Sequence, residues 1–440
     1  MFKNKVYLFI LLTFFIKILL GLYVPLVADE AYYYVWSLRP QFSYFDHPAM
    51  VSWLIYLSRN IIHFSPYLAV RFSFILLSTF TLIIWFFIFK LQKKDNVLFY
   101  LSLICLNPFL GPGSILATPD VPLVFFWSLS FLAYINLFND TLARNKFWWY
   151  ITLGCSLGLG FCSKYHIVLF VISGLIDIVV NKKFKQLQLT GVVLTLVSGF
   201  LTSLPVLVWN YQNQWSSFSY QLNHGFGKTY YDVSWTIAFI CGQILLINPY
   251  IFAYHFKNRL KSTNVVFSLT QFLFFLSSSF KAIVEANWPI TSHLHFTSAA
   301  TQTMTQPLFK KSILYWVILY TIILTVLFSP AGSTLLRNQY SSKQIEKISF
   351  LTEKYQPLYG SSYQIAALLT WKSQGLIPKL NGLSRHDYFD TLPESTPSEK
   401  HIYVLKHLDS IWPEKYNRYQ KSFIESFEQL KIELYELNYE

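Results

Sequence analysis

The chain has 440 residues, of which 53% are hydrophobic, 19% aromatic and 13% charged, whereas soluble domains carry roughly 25% charged residues. The formal net charge of +13 does not indicate a nucleic-acid partner, because residues 331–440 hold 13 basic and 13 acidic residues and the whole excess lies in the apolar part. Soluble domains of ordinary composition are therefore excluded, and the sequence predicts an all-α polytopic membrane protein.

Hydropathy predicts about eleven membrane-spanning helices, since a span needs about 20 mostly apolar residues. They lie at about 6–28, 67–90, 96–112, 120–139, 148–162, 165–181, 188–210, 234–256, 264–283, 290–308 and 312–330. We expect the first to be an uncleaved span, because its apolar run is long and lacks a small-residue cleavage site. The tenth is polar, so we expect a buried helix there rather than one that faces lipid.

Lysine and arginine residues in the short loops predict a cytoplasmic N-terminus. In this orientation the inner loops carry fifteen basic residues: Lys3, Lys5, Lys90, Lys93, Lys94, Arg144, Lys146, Lys182, Lys183, Lys185, Lys257, Arg259, Lys261, Lys310 and Lys311. The outer loops and their flanks carry only Arg39, Arg59, Arg71, Lys164, Lys228 and Lys281. The conspicuous polar motifs and the C-terminal segment then share the non-cytoplasmic side.

Residues 331–440 are predicted to form a small α/β or α+β domain outside the membrane, after a transmembrane domain over 1–330. "HIYVL" (401–405) is strand-like. "SYQIAALLTWKSQG" (362–375) and "YQKSFIESFEQLKIELYEL" (419–437) show patterns typical of helices.

The first outer loop is unusually acidic. The first 330 residues hold nine acidic residues, and three of them, Asp29, Glu30 and Asp46, lie in "DEAYYYVWSLRPQFSYFDHP". They could be solvated loop acids at a helix end. Alternatively, a carboxylate in a partly desolvated pocket acts as a general base, with a second acid to orient it. The run "AYYYVW" suits the membrane–water interface, where tyrosine and tryptophan rings settle.

Three cations, Arg71, Lys164 and Lys281, lie near the outer ends of predicted spans. A single cation there is commonly an anchor whose charge reaches the membrane surface. As a set, they indicate a site for an anionic head group, since a guanidinium binds phosphate in a bidentate manner.

Other polar residues leave alternatives open. Asp120 begins a span in "ATPDVPLVFFW", where we expect it to cap the helix, with a site-lining role as the alternative. The loop "WNYQNQWSSFSYQLNHGFG" (209–227) suits either sugar binding or an interfacial aromatic belt. His293 and His295 would point to different faces of a helix, so they do not predict a metal site.

Eight motifs in chain order resemble those of integral-membrane glycosyltransferases of the GT-C type, in the bacterial branch related to dolichyl-phosphate-mannose protein O-mannosyltransferases and the lipid A aminoarabinose transferase. They are "DEAYYYVW", "YFDHPAMVSWLI", "VRFSFILLS", "ATPDVPLVFFW", "LGLGFCSKYHIVL", "VWNYQNQWSSFSYQLNH", "GQILLINPY" and "EANWP". In the tail, "YGSSYQIAALLTW" and "LSRHDYFD" are also similar to the family.

The resemblance implies transfer of a sugar, with inversion, from a polyprenyl-phosphate-linked donor on the outer face of a bacterial inner membrane. It implies Asp29 as the base, beside Glu30, and Arg71, Lys164 and Lys281 as cations for the donor phosphate. Asp46 and His47 fall where a related branch has a bound metal, so a divalent ion is allowed there. The remaining residues expected to line the site are Asp120, Tyr165, Asn210, Glu285, Asn287 and Trp288.

The acceptor stays open between lipid A, another envelope glycan and a protein, because the sequence after "EANWP" and the short tail depart from the family. The alternative function is a transporter or flippase of lipid-linked saccharides. A transporter would place ionisable residues near the bilayer midplane and often shows repeats, whereas these acids lie at one boundary and no repeat is visible.

Overall fold

A computed structural model describes residues 2–92, 95–139, 146–227, 230–257, 262–327, 329, 340–397 and 399–439. The domain boundary predicted at 330/331 lies outside these residues, as do six basic residues used for the orientation: Lys93, Lys94, Arg144, Lys228, Arg259 and Lys261. The chain divides into two compact units. The first comprises Met1–Gly21, Phe42–Leu54 and Arg71–Thr321, and the second Leu22–Gln41, Ile55–Val70 and Ile322–Glu440.

The described residues up to 327 are mostly α-helical. The helices are α1 (Phe2–Tyr23), α2 (Ala28–Leu38), α3 (Met50–Ile61), α4 (Pro66–Leu91), α5 (Val97–Leu106), α6 (Asp120–Leu137), α7 (Lys146–Ser163), α8 (Val168–Val180), α9 (Leu189–Gln212), α10 (Ser216–Phe226), α11 (Val233–Ile247), α12 (Pro249–His255), α13 (Thr263–Ser278), α14 (Ile290–Thr303) and α15 (Gln306–Leu327).

Five of these helices, α1, α4, α6, α9 and α15, are long and apolar enough to cross a membrane. Helices α11 and α12 make a sixth if the pair, bent by 95°, is one span. Shorter apolar helices cover Val97–Leu106, Tyr165–Val180 and Thr263–Ser278, and each overlaps a predicted span. The count of eleven spans stays a prediction, because these helices are shorter than the about 20 residues that a straight span needs.

Helices α7 and α9 cross at very short range in the first unit. A Cβ atom built on Gly154 would lie 2.0 Å from Ser198 Oγ, and one on Gly158 would lie 2.3 Å from the carbonyl oxygen of Gly199. Glycines spaced four residues apart let two membrane helices bring their backbones together. The glycines of α7 therefore set how closely α9 packs against the helix that ends just before Lys164.

The polar tenth span is a buried helix, as the sequence predicted. In α14 every residue from Ile290 to Thr301 is buried. His293 is paired with Gln243 (2.8 Å) and Asn107 (3.1 Å). His295 accepts a hydrogen bond from the Trp127 indole at 2.8 Å. Because these polar groups have partners inside the unit, the helix keeps its polarity without exposing it to lipid.

The second unit contains a four-stranded mixed sheet. Its strands are β1 (Leu358–Gly360), β2 (His401–His407), β3 (Tyr419–Phe427) and β4 (Ile432–Tyr439), in the order β1-β2-β4-β3. Strand β1 is parallel to β2, while the β2–β4 and β3–β4 pairs are antiparallel. Three helices belong to the same segment: α16 (Ser342–Ile345), α17 (Leu351–Lys354) and α18 (Tyr363–Ser373).

Two of the three patterns in this segment are confirmed and one is wrong. "HIYVL" lies in β2 and "SYQIAALLTWKSQG" in α18. Residues 419–437, which we predicted to be helical, form the β3–β4 hairpin instead. The Glu, Lys and Gln content favours a helix, but Ile432 and Leu434 are buried with a period of two. Pairing of β4 with β2 on one side and β3 on the other overrides the local preference.

Candidate functional site

The two adjacent acids of the first outer loop have different environments in α2. Glu30 is fully buried, and its Oε2 accepts a hydrogen bond from the backbone N–H of Val27 at 3.2 Å. In this contact an acid in the first turn caps the helix by accepting a hydrogen bond from the backbone N–H of the N-cap residue. Asp29 is exposed. Of the two, Asp29 is the carboxylate that a substrate could reach.

Asp29 is contacted by a tyrosine that lies 334 residues further along the chain, within the same unit. The Tyr363 hydroxyl, in the first turn of α18, donates a hydrogen bond to Asp29 Oδ1 at 3.0 Å. Burial, and then the Asp29 charge, raise the pKa of this hydroxyl, while the Arg385 guanidinium lowers it. The phenol therefore remains protonated at neutral pH and acts as a donor to the carboxylate.

The aromatic run after Asp29 packs against residues of the tail motifs. The ring centroids of Tyr32 and Tyr363 are 4.6 Å apart, and the Tyr32 hydroxyl accepts a hydrogen bond from the Tyr388 backbone N–H at 2.8 Å. Trp36 is fully buried and meets the Tyr388 ring edge-on at 5.9 Å. These contacts join the run "AYYYVW" to "SSYQ" and "DYFD" within the second unit.

Asp46 and His47 lie in a tight turn of the first unit. The Tyr44 backbone N–H donates to the His47 carbonyl at 3.2 Å, and Asp46 is buried. Gln221, on α10, donates to the Asp46 carbonyl oxygen and lies 3.4 Å from His47 Nδ1. Helix α10 thus holds this turn by a side-chain amide.

The residues around this turn do not fit a metal ion. Over the part of the chain that the structure describes, no three side chains of His, Cys, Asp or Glu are grouped so that they could hold a metal ion. Asp46 and His47 supply two such groups at most, and His293 and His295 are engaged with amides and an indole. Asp46 and His47 alone therefore do not make a metal site.

Lys164, Asp120 and Asn287 form one cluster in the first unit. The Lys164 ammonium lies 2.7 Å from Asp120 Oδ1, and the Asn287 amide donates to Asp120 Oδ2 at 2.7 Å. Asp120 is the first residue of α6, where its charge suits the helix dipole. The expected cap is wrong in detail, because both oxygens bond to side chains from elsewhere in the chain rather than to the start of α6.

The other two predicted cations differ from each other. Arg71, in α4, is fully buried, whereas Lys281, just after α13, is exposed. Glu285 is also exposed, and its carbonyl accepts a hydrogen bond from the Trp288 N–H at 3.0 Å. The buried cations Arg71 and Lys164 are the ones that the fold places in a desolvated setting, where electrostatic interactions are strong.

A largely apolar cavity of about 360 Å³ lies in the first unit, and Tyr165, His166, Gln221 and Trp288 supply polar groups to its wall. The Tyr165 hydroxyl is paired with Ser217 Oγ at 2.9 Å and receives the Asn210 amide at 3.3 Å. Of the residues expected to line the site, Tyr165 and Trp288 thus border one cavity, and Asn210 bonds to Tyr165.

Sequence reasoning did not single out His166, Gln221 or His224. His224 stacks on Tyr220 with 5.9 Å between ring centroids, and its ring centroid lies 5.4 Å from that of Trp288. A signal was present, because Gln221 and His224 are three residues apart and so share one face of a helix. The sequence was interpreted as an outer loop, however, and that spacing has meaning only on a helix such as α10.

Comparison with known proteins places these features in context. The family model of dolichyl-phosphate-mannose-protein mannosyltransferases matches residues 46–209. The lipid A galacturonosyltransferase RgtD of Rhizobium johnstonii is 24% identical over 245 residues, which is 51% of this chain and 47% of that protein. The chain thus matches about half the length of this curated relative.

Solved structures match over nearly the whole chain. ArnT from Cupriavidus metallidurans bound to undecaprenyl phosphate superposes with a TM-score of 0.68 at 10% identity, covering 99% of this chain and 97% of ArnT. The apo form gives a TM-score of 0.67 at the same identity.

Together, the apolar helices and the ArnT-like fold identify a multi-pass membrane protein with a small C-terminal sheet. The resemblance predicted from the ordered motifs is confirmed: the chain is similar in sequence to the dolichyl-phosphate-mannose-protein mannosyltransferases and in fold to ArnT, both of the GT-C type.

Proposed function

We propose that the protein is an inverting glycosyltransferase that moves a sugar from a polyprenyl-phosphate-linked donor to lipid A on the periplasmic face of a bacterial inner membrane. The observation that carries the proposal is the Asp29 carboxylate. It is exposed, it is held by Tyr363, and it occupies the position at which the resemblance places the base. The carboxylate of its neighbour Glu30 accepts a hydrogen bond from the Val27 N–H at the start of α2.

The reaction is a single displacement. A hydroxyl or amine of the acceptor attacks the anomeric carbon of the donor sugar, and the bond from that carbon to the phosphate oxygen breaks. The electron pair of that bond leaves with the polyprenyl phosphate. Asp29 takes the proton of the attacking group as the new bond forms, which is general-base catalysis, and later releases it to water.

Arg71 and Lys164 are proposed to stabilise the charge that grows on the departing phosphate. Both are buried cations of the first unit, and fixed charges aimed at developing charge are usually the largest contribution to catalysis. Asp120 and Asn287 then hold Lys164 in place. Lys281 is exposed and is proposed to have a weaker role at the donor head group.

Lipid A is proposed as the acceptor because the curated relative RgtD is named as a lipid A galacturonosyltransferase. The donor class follows from the related mannosyltransferases, which are named for a polyprenyl-type dolichyl-phosphate mannose, and from undecaprenyl phosphate bound to ArnT. The orientation from loop charges supports an outer-face reaction, with the N-terminus in the cytoplasm and the C-terminal domain outside.

The test uses purified protein with an undecaprenyl-phosphate-linked galacturonic acid and lipid A, and it follows release of undecaprenyl phosphate. We expect the wild type to release one equivalent for each sugar transferred. Asp29→Asn keeps the shape of the side chain but cannot accept a proton, so transfer should fall by at least about 10²-fold. The melting temperature of Asp29→Asn should match that of the wild type. Full activity of this variant would contradict the proposed mechanism.

A further inference from the structure

We infer that Tyr363 is a positioning residue for Asp29, and that Arg385 holds the tyrosine in place. In this arrangement, the C-terminal segment fixes the orientation of the base in the first outer loop. The inference rests on the proposed function, because it assigns a supporting partner to the proposed base.

The hydrogen bond from Tyr363 is well placed to fix the carboxylate. The phenolic oxygen lies 3.0 Å from Asp29 Oδ1, within the range of an O–H···O hydrogen bond. This bond restricts rotation of the Asp29 side chain about χ1 and χ2, so less orientational entropy must be lost when the acceptor binds.

Tyr363 is itself held by two neighbours. Its ring lies 4.6 Å from the ring of Tyr32, which is buried in α2 one turn after Asp29. The Arg385 guanidinium carbon lies 5.0 Å from the centre of the Tyr363 ring, a cation–π contact. The tyrosine is therefore clamped between the helix that carries the base and a loop of the C-terminal segment.

The Tyr363 hydrogen bond favours an ionised Asp29, because a hydrogen bond donated to a carboxylate stabilises its charged form. The titratable and charged groups beside this hydrogen bond include Tyr363 itself, Arg385 over the Tyr363 ring and Glu30, the next residue of α2. Removal of the tyrosine hydroxyl should therefore require a higher pH before the base is ionised.

Tyr363 and Arg385 both belong to tail motifs that are similar to the family, and the sequence assigned no function to these motifs. Tyr363 belongs to "YGSSYQIAALLTW" and Arg385 to "LSRHDYFD". The tail was expected to bear on acceptor choice. Through Tyr363, the tail also contacts the proposed base, Asp29.

The experiment measures kcat and KM against pH for Tyr363→Phe, with undecaprenyl-phosphate-linked galacturonic acid and lipid A as substrates. We expect kcat to fall about 5- to 50-fold below neutral pH, the acidic limb to move to higher pH, and the donor KM to stay within twofold. Arg385→Lys keeps the charge but loses the planar stacking, so it should show a smaller change in the same direction. Tyr403→Phe, another tyrosine of the same unit, serves as the matched control and should leave the profile unchanged.

Two outcomes would overturn the inference. One is a wild-type acidic limb in Tyr363→Phe. The other is a loss of kcat that is equal at every pH and accompanied by a lower melting temperature, as a purely structural role would give. Asp29→Asn is measured in parallel. If Asp29→Asn is inactive and Tyr363→Phe is normal, only this inference fails, whereas an active Asp29→Asn removes the proposed base itself.

Discussion

Asp29 and Glu30 show that a shift of one position along a helix changes the exposure and the hydrogen-bond partners of a side chain. Both acids follow the same apolar run, and nothing in their order distinguishes a base from a structural group. The start of α2 at Ala28 makes Glu30 the residue that reaches back to the Val27 N–H. Asp29, one position earlier, projects from a different side of the first turn and remains exposed. Their different environments follow from helical geometry.

Variants of the Lys164–Asp120 ion pair can separate the effect of Lys164 on catalysis from its effect on stability. Their side chains are about one tenth exposed or less, and removing one partner of a buried pair costs about 3–5 kcal/mol because the other charge is left uncompensated. Lys164→Met should therefore lower both stability and transfer. The double variant Lys164→Met/Asp120→Asn removes the orphaned charge and should recover most of the stability.

Transfer should not recover in that double variant if Lys164 acts on the donor phosphate. We expect a loss of at least about tenfold in kcat, which corresponds to about 1.4 kcal/mol of transition-state stabilisation. Thermal unfolding in detergent and release of polyprenyl phosphate give the two readouts. Recovery of full activity together with stability would show that Lys164 has only a structural role.

At the scale of elements, the sequence predicted what depends on local patterns. Long apolar runs located α1, α4, α6, α9 and α15, and the polarity of residues 289–309 correctly indicated a buried helix. The β3–β4 hairpin was missed because its pairing with β2 is non-local and its composition favours a helix. Contacts such as Tyr363 with Asp29 could not be predicted either, since no spacing within one segment encodes them.

The crossing of α7 and α9 gives a prediction for packing. Gly158→Ala would place a methyl group 2.3 Å from the Gly199 carbonyl oxygen, so one backbone must move. Overpacking of this kind typically costs about 1–3 kcal/mol, and the melting temperature in detergent should fall. Gly242→Ala is the control, because a Cβ atom there meets nothing within 4 Å. A Gly158→Ala variant as stable as this control would mean that the helices are not in close contact.

At the scale of the whole molecule, the compact units do not follow the order of the chain. The C-terminal segment belongs with α2 and residues 55–70 in one unit. Hydropathy could not show this grouping, because it reports how a segment interacts with lipid and not which distant segment it meets. The predicted division at residue 330 describes the change in composition along the chain.

Loop charges give a topology that labelling can test. In a background without the four native cysteines, Ile411→Cys and Phe184→Cys introduce single thiols at exposed positions, 86% and 58% accessible. A membrane-impermeant maleimide should label Ile411→Cys in spheroplasts, because the C-terminal domain is predicted to lie outside. Phe184→Cys, in a predicted cytoplasmic loop, should react only after lysis. The reverse pattern would invert the topology and exclude an outer-face reaction.

The central claim, transfer of a sugar to lipid A by a base at Asp29, is tested most directly by mass spectrometry of lipid A from a deletion strain. The account predicts that lipid A from this strain lacks the mass of one sugar residue, that wild-type protein restores it, and that Asp29→Asn, expressed at the same level, does not. Lipid A of unchanged mass in the deletion strain, or full restoration by Asp29→Asn, would contradict the account.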